Sequence, residues 1–214
     1  KYFSILKLKK NFGKKFIIEN FGSLVGDKAL FKFLICFDLL NKTKKIKGDI
    51  IEFGVWNGNN LISLKKIHDF LKMNKKIIGF DHFKGMPNNS RDYNRNSFKG
   101  DLSLLKKIIN FFKLKDIKLI NDDILNLKKY LYKFKRVSFI YIDCDLYSTT
   151  KNILDLLNKK VSKGGVIVFD EGNLNTKKSG ETKALKEFYN QNKKNFYIRY
   201  LKKGYQPDVY LEKK

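Results

Sequence analysis

A chain of 214 residues, 43% hydrophobic and 14% aromatic, is the size of one domain and can bury roughly 70% of its unfolded surface. No apolar run approaches the ~20 residues that cross a bilayer, and the only cysteines, Cys36 and Cys144, sit in apolar stretches, which argues against a disulfide framework or zinc site and for a reduced, cytoplasmic setting. The formal charge of +25 is carried almost wholly by Lys, with Arg only at Arg91, Arg95, Arg136 and Arg199, so it reads as a solvated surface or a site for an anionic partner rather than a nucleic-acid reader built on Arg forks.

The chain opens on Lys1 rather than Met, so sequence upstream is expected. Residues 1–48 read as a helical lead-in cap, with Leu30, Phe31, Phe33, Leu34, Phe37 and Leu40 spaced to cover a sheet, and 49–214 as the core. The stretch Asp49-Ile50-Ile51-Glu52-Phe53-Gly54-Val55-Trp56-Asn57-Gly58-Asn59-Asn60 reads as a buried strand, a glycine turn and a helix start. Glu52 interrupts the apolar run, and a carboxylate buried there needs a hydrogen-bond donor, which a ligand hydroxyl or ammonium would supply. The G-x-x-x-G spacing is neither the G-x-G-x-x-G of a dinucleotide site nor a phosphate loop, and it fits a ligand without phosphates, such as S-adenosylmethionine. Similar turns also join strands to helices with no ligand at all.

Leu61, Leu64, Ile67, Phe70 and Leu71 mark an amphipathic helix, followed by a strand Ile77–Asp81. Asp81 closes that strand where open α/β sheets bind the two hydroxyls of a ribose, or serves as an ordinary turn or cap residue. Residues Lys84 to Gly100, with Gly85, Pro87, Asn88, Asn89, Ser90, Asn94 and Asn96, read as a mobile lid. A helix from Asp101 to Phe112 and a strand Ile117–Ile120 end in Asp122 and Asp123, a carboxylate position from which an adenine amino group can be bound. A short helix Leu125–Tyr132 precedes the buried strand Val137–Asp143 and the segment Asp143-Cys144-Asp145-Leu146-Tyr147-Ser148-Thr149, where Ser148 or Thr149 can cap a helix carrying Ile153, Leu154, Leu156 and Leu157. A Gly164-Gly165 turn, a strand ending in Asp170 and Glu171, a helix from Gly180 through Phe188 and strands Tyr197–Leu201 and Asp208–Leu211 complete the pattern.

Alternating strands and helices specify an α/β, Rossmann-like fold: a mostly parallel, seven-stranded, doubly wound sheet with helices on both faces. Ligands of such sheets gather at the carboxyl edge, and Glu52, Asp81, Asp123, Asp143, Asp145, Asp170 and Glu171 all fall there. Clustered carboxylates call for a cation, and oxygen-only ligands suit Mg²⁺ or Mn²⁺.

Four segments, Glu52 to Gly58, Gly79-Phe80-Asp81-His82-Phe83-Lys84-Gly85-Met86-Pro87, Asp143 to Thr149 and Gly164 to Glu171, together resemble the macrocin-type O-methyltransferases over roughly residues 26–191. The resemblance implies a class I methyltransferase that moves a methyl group from S-adenosylmethionine to a sugar hydroxyl with the help of a divalent metal. It implies that Glu52, Gly54 and Gly58, with Phe53, Val55 and Asn60 around them, bind the methionine end of the cofactor. Asp81 would hold the ribose and Asp123 would face the adenine. Asp143, Asp170 and Glu171 would hold the metal, with Asp145 as general base. Gly180, Lys183, Ala184 and Phe188 match the family's closing helix. Two departures stand out: the family usually has Asp where this chain has Glu171, and Ser where it has His82.

The spacing of Asp145 two residues from Asp143 would put both on one side if the strand continued through them, and His82 is a rival base. The expected acceptor is a sugar-containing small molecule or glycan. A catechol-type methyltransferase, a hydroxylase-like relative and an RNA methyltransferase or RNA-binding module are the competing readings, the last disfavoured by the Lys bias. Homo-oligomerisation and peripheral membrane contact through the Lys-rich surface stay open.

Overall fold

The structure, a computed structural model, describes residues 21–88, 94–172 and 180–214, with Gly13 and Lys15. A short helical turn, Phe21–Leu24, leads into α1 (Asp27–Thr43), and the chain then alternates through β1 (Asp49–Phe53), α2 (Asn59–Phe70), β2 (Ile77–Asp81), α3 (Leu102–Phe111) and β3 (Ile117–Asn121). A 3₁₀ helix (Ile124–Lys133) precedes β4 (Val137–Ile142), α4 (Tyr147–Leu157), β5 (Val161–Phe169), α5 (Gly180–Asn192), β6 (Phe196–Tyr200) and β7 (Val209–Lys213).

The seven strands form one sheet in the order β3-β2-β1-β4-β5-β7-β6. Strands β1 to β5 run parallel, because a helical crossover separates each from the next. Strand β7 lies antiparallel to both β5 and β6, so the sheet is mixed. The order reverses between β1 and β4, which leaves a crevice beyond their carboxyl ends.

Side-chain alternation divides the core into two layers. Ile51, Phe53, Ile140 and Ile142 face one way and pack with Leu154 and Leu157 of α4 and Leu185 and Phe188 of α5. Ile50, Phe139, Tyr141 and Val168 face the other way, against Cys36, Leu39 and Leu40 of α1 and Leu61 and Leu64 of α2. Since residues two apart share a face, Glu52 lies on the side of Ile50, beneath α1 and α2.

Three local expectations need correction. The buried stripe of α1 is Cys36, Leu39, Leu40 and Thr43. Leu30, Phe33 and Leu34, expected to cover the sheet, are 49%, 42% and 50% exposed. Of the others, Phe31 packs against Tyr205 and Phe37 against Phe70. The Gly164-Gly165 pair does not precede β5 but lies inside it: Val161 pairs with Val137 and Val166 with Phe139, so three extra residues bulge out between them, and Gly164 supplies the positive φ of 76° that the bulge needs. Finally, β4 ends at Ile142 and α4 begins at Tyr147, which leaves Ser148 and Thr149 inside the first turn rather than at its cap.

Candidate functional site

The carboxyl ends of β1, β2, β4 and β5 open into a cavity of about 580 Å³. The chain leaves β1 through Gly54 at φ +84°, where any Cβ would run into the carbonyl oxygen of Asp143, so only glycine lets β1 and β4 end side by side. Gly58, at φ +81°, stands before the first turn of α2 and faces the side chain of Leu105 rather than the cavity. Asn59 and Asn60 of that first turn do line it.

Glu52 is 1% exposed. Its Oε1 accepts from Asn60 Nδ2 at 3.0 Å, whereas its buried Oε2 has no partner among the described residues. Burial pushes this carboxyl up to about 8, against the opposing pull of the Asn60 hydrogen bond and the Lys32 charge. A buried carboxyl oxygen without a hydrogen-bond partner, protonated or not, costs about 1–3 kcal/mol until one reaches it.

Asp81 accepts two backbone hydrogen bonds, from Trp56 N–H at 2.8 Å and Phe83 N–H at 2.7 Å, and so ties the loops after β1 and β2 together. Its oxygens still line the cavity with lone pairs to spare. Trp56 and Phe83 take φ values of +49° and +59°, and Asp145 takes +58°. Left-handed backbone at bulky residues persists only where the surroundings enforce it, and such residues gather at ligand sites.

Asp143 and Asp145 share the cavity, but strand alternation does not bring them there. They lie in a tight turn in which Leu146 N–H donates to the Cys144 carbonyl at 2.6 Å. Asp170 ends β5, where Tyr141 Oη donates to its Oδ1 at 2.6 Å. Lys32 of α1 donates to the same oxygen at 2.8 Å and to Asp143 Oδ2 at 3.3 Å. Burial alone would pull the Lys32 ammonium down, but Asp170 and Asp143 outweigh it and hold it above the usual lysine range. Burial, then the charge of Asp170, pushes the Asp143 carboxyl up, with Lys32 opposing.

Glu171 lines the cavity, and its Oε1 accepts from Gln206 Nε2 at 3.2 Å. The three residues expected to hold a metal are therefore not one open cluster: two are bridged by an ammonium and the third is hydrogen-bonded elsewhere. No group of three His, Cys, Asp or Glu side chains suited to a metal converges among the described residues.

Other expected residues fall at different distances from the chemistry. Val55 lines the cavity, while Phe53 is a core residue stacked on Phe80. Asp123 does not line it: its Oδ1 caps the 3₁₀ helix by accepting from Leu125 N–H at 2.8 Å, and the next residue, Ile124, lines the cavity instead. His82 lines it, with its Nδ1 3.2 Å from the Lys84 N–H that donates to it and 3.5 Å from Asp81 Oδ1. Of the expected lid, Gly85, Met86, Pro87 and Phe98 reach the cavity, and Met86 exchanges backbone hydrogen bonds with Asn96 and Ser97 at its base. Asn89 and Ser90 lie outside the described residues.

Sequence reasoning missed Lys32, Tyr141 and Glu181. Glu181, fully buried, accepts from Glu171 N–H at 3.1 Å and Cys144 N–H at 3.4 Å, so it clamps the loops that follow β5 and β4. A signal was present for the two charged residues. Lys32 continues the stripe of Cys36, Leu39, Leu40 and Thr43, and Glu181 that of Ala184, Leu185 and Phe188, and a charge on a buried stripe must have a buried partner.

Comparisons with known proteins bear on the family and the fold. The profile of a family described as macrocin-O-methyltransferase (TylF) matches residues 19–200. Among solved structures, the chain resembles CalS11, a TDP-rhamnose 3'-O-methyltransferase of calicheamicin biosynthesis, at 23% identity and TM-score 0.76, over 97% of this chain and 90% of that one. It also resembles the O-methyltransferase NovP at 18% identity and TM-score 0.69, over 89% and 81% of the two chains. An rRNA methylase from Streptococcus thermophilus is similar at 16% identity and TM-score 0.55, over 88% and 98%. These likenesses establish the fold. No curated protein matches the sequence significantly.

Proposed function

The chain belongs to the macrocin-O-methyltransferase (TylF) family, and from that premise we propose that it transfers a methyl group from S-adenosylmethionine to a hydroxyl of a sugar. The observation that carries the proposal is the meeting of Glu52, Asp81 and Asp145, from the ends of three strands, in one cavity at the switch point of the sheet.

The residues present fit the cofactor. The orphan oxygen of Glu52 suits the ammonium of its methionine end, the Gly54 turn allows close approach of the backbone, and Asp81 can accept from the ribose hydroxyls. Ile124 offers an apolar contact for the adenine. When bound, S-adenosylmethionine supplies an electrophilic methyl group. The chain's own part is to hold the acceptor hydroxyl in line and take its proton, since a sugar hydroxyl is a poor nucleophile near neutral pH. Asp145 is the acceptor of that proton. His82, the rival base, lines the same cavity beside Asp81.

The divalent metal that the family resemblance brings with it does not fit the donor set as arranged, because Asp143 and Asp170 are engaged by Lys32 and Glu171 by Gln206. The name of CalS11 supports a nucleotide-linked sugar as the first acceptor to test. Radiolabel from S-adenosyl-[methyl]methionine should appear on a sugar in a panel of nucleotide sugars and glycans, and transfer to a catechol or RNA but to no sugar would sink the proposal. Calorimetry gives a second test: Asp81→Ala should lose about 1.5–3 kcal/mol of cofactor affinity, the worth of hydrogen bonds to a charged group. An unchanged affinity would remove Asp81 from the ribose site.

A further inference from the structure

Lys32 lies one turn before Cys36 on the buried stripe of α1, so the helix carries it onto the sheet edge rather than into water. There it meets two carboxylates at 2.8 and 3.3 Å, and the ring of Tyr141 lies 5.0 Å from its nitrogen. The Asp170 oxygen it binds is held from a second side by the Tyr141 hydroxyl at 2.6 Å. Asp170 is 8% exposed and Lys32 26%, so this is an enclosed constellation with one open side, and that side is the cavity.

An ion such as Mg²⁺ takes six oxygen ligands, one or two of them carboxylates that must be open to it. Here one Asp170 oxygen already accepts from two donors, Asp143 accepts from the same ammonium, and Glu171 is bonded to Gln206. Resting on the methyltransferase reading of the cavity, we propose that Lys32 is the resident cation of the acceptor half: it occupies the place between Asp143 and Asp170 where a divalent ion would sit, and offers a hydrogen bond to the acceptor hydroxyl. An ammonium has three donors, of which these carboxylates take two. The third serves one hydroxyl, so recognition needs a single oxygen rather than the two adjacent oxygens that a metal chelates. Lys32 is in this sense an acceptor-positioning residue, and proton removal stays with Asp145.

The test uses Mn²⁺ alone as probe, titrated by electron paramagnetic resonance into the whole chain with S-adenosylhomocysteine present. The parent should bind Mn²⁺ no tighter than the millimolar range. Lys32→Met, which takes the ammonium away from both carboxylates, should bind it at least tenfold more tightly, and Lys32→Arg, which keeps the charge, as weakly as the parent. A micromolar dissociation constant for the parent, or no tightening in Lys32→Met, overturns the proposal. If Lys32→Met does not fold, the parent and Lys32→Arg decide: weak binding by both supports it, and tight binding by either overturns it. Failure of the parent to bind S-adenosylhomocysteine would instead count against the methyltransferase reading and leave the Mn²⁺ comparison intact.

Discussion

The two walls of the cavity are built in opposite ways. The wall of β1, α2 and β2 is local: the Asn60–Glu52 hydrogen bond spans 8 residues and the Trp56–Asp81 bond spans 25. The wall of β4, β5 and α1 is assembled from afar, with Lys32 bridging 111 residues to Asp143 and 138 to Asp170. A local wall is specified by one strand, its turn and the next helix, so it resists change elsewhere. A long-range wall exists only when the whole sheet and α1 have formed.

The largest expected effect lies in the second wall. Asp145→Asn keeps the shape of the side chain and removes its basicity, so turnover should fall by roughly 10²–10⁴ while S-adenosylhomocysteine binds as before. Steady-state rates combined with calorimetry check this. Parental turnover in the variant would shift proton removal to another group and dissolve the division of labour between the walls.

The next effect lies in the first wall and is read by pH. Burial raises the Glu52 carboxyl from 4.5 to about 8, so it is protonated in the folded protein at pH 7 and ionised in the unfolded chain. The folded state thus binds the extra proton between those values, and this group's contribution to stability declines as pH rises from about 4.5 towards 8. A cationic ligand end selects the ionised form. Binding at pH 7 should therefore release a proton, with affinity gaining up to about tenfold per pH unit below 8 and levelling above it. Calorimetry in two buffers of different ionisation enthalpy measures the release, and Glu52→Gln should abolish it. Equal release in that variant would assign the proton to another group.

The same division explains what could be read from the sequence. The alternation of strands and helices, the glycine turn at Gly54 and the acids near the strand ends were legible because each is a pattern within a few residues: an apolar run, a break, a carboxylate. The boundary of β4 was not, since the turn from Cys144 to Leu146 ends the strand without any Gly or Pro to announce it. The face of α1 was misjudged because two stripes compete on that helix, and the larger side chains, Leu30, Phe33 and Leu34, are on the exposed one. The other stripe, Cys36, Leu39 and Leu40, meets Ile50, Leu61, Phe139 and Tyr141, partners too far along the chain for a local window to contain. Lys32 stands out only once that stripe is known to be the buried one, since among 46 Lys and Arg residues composition does not mark it.

The smallest expected effect concerns Asp123, where a single residue tests whether the local wall extends as far as β3. As the N-cap of the 3₁₀ helix, its carboxylate satisfies the Leu125 N–H, and its place beside the cavity is taken by Ile124. Replacing an N-cap Asp by Ala typically costs about 1 kcal/mol. Asp123→Ala should therefore lower thermal stability by a few degrees while leaving cofactor affinity within twofold. Ile124→Ser should do the reverse for affinity, because it removes an apolar side chain that lines the cavity where the adenine is proposed to bind. A loss of affinity beyond tenfold in Asp123→Ala would mean that the carboxylate leaves its cap to bind the adenine, and the loop after β3 would then be a part of the site that ligand binding reshapes.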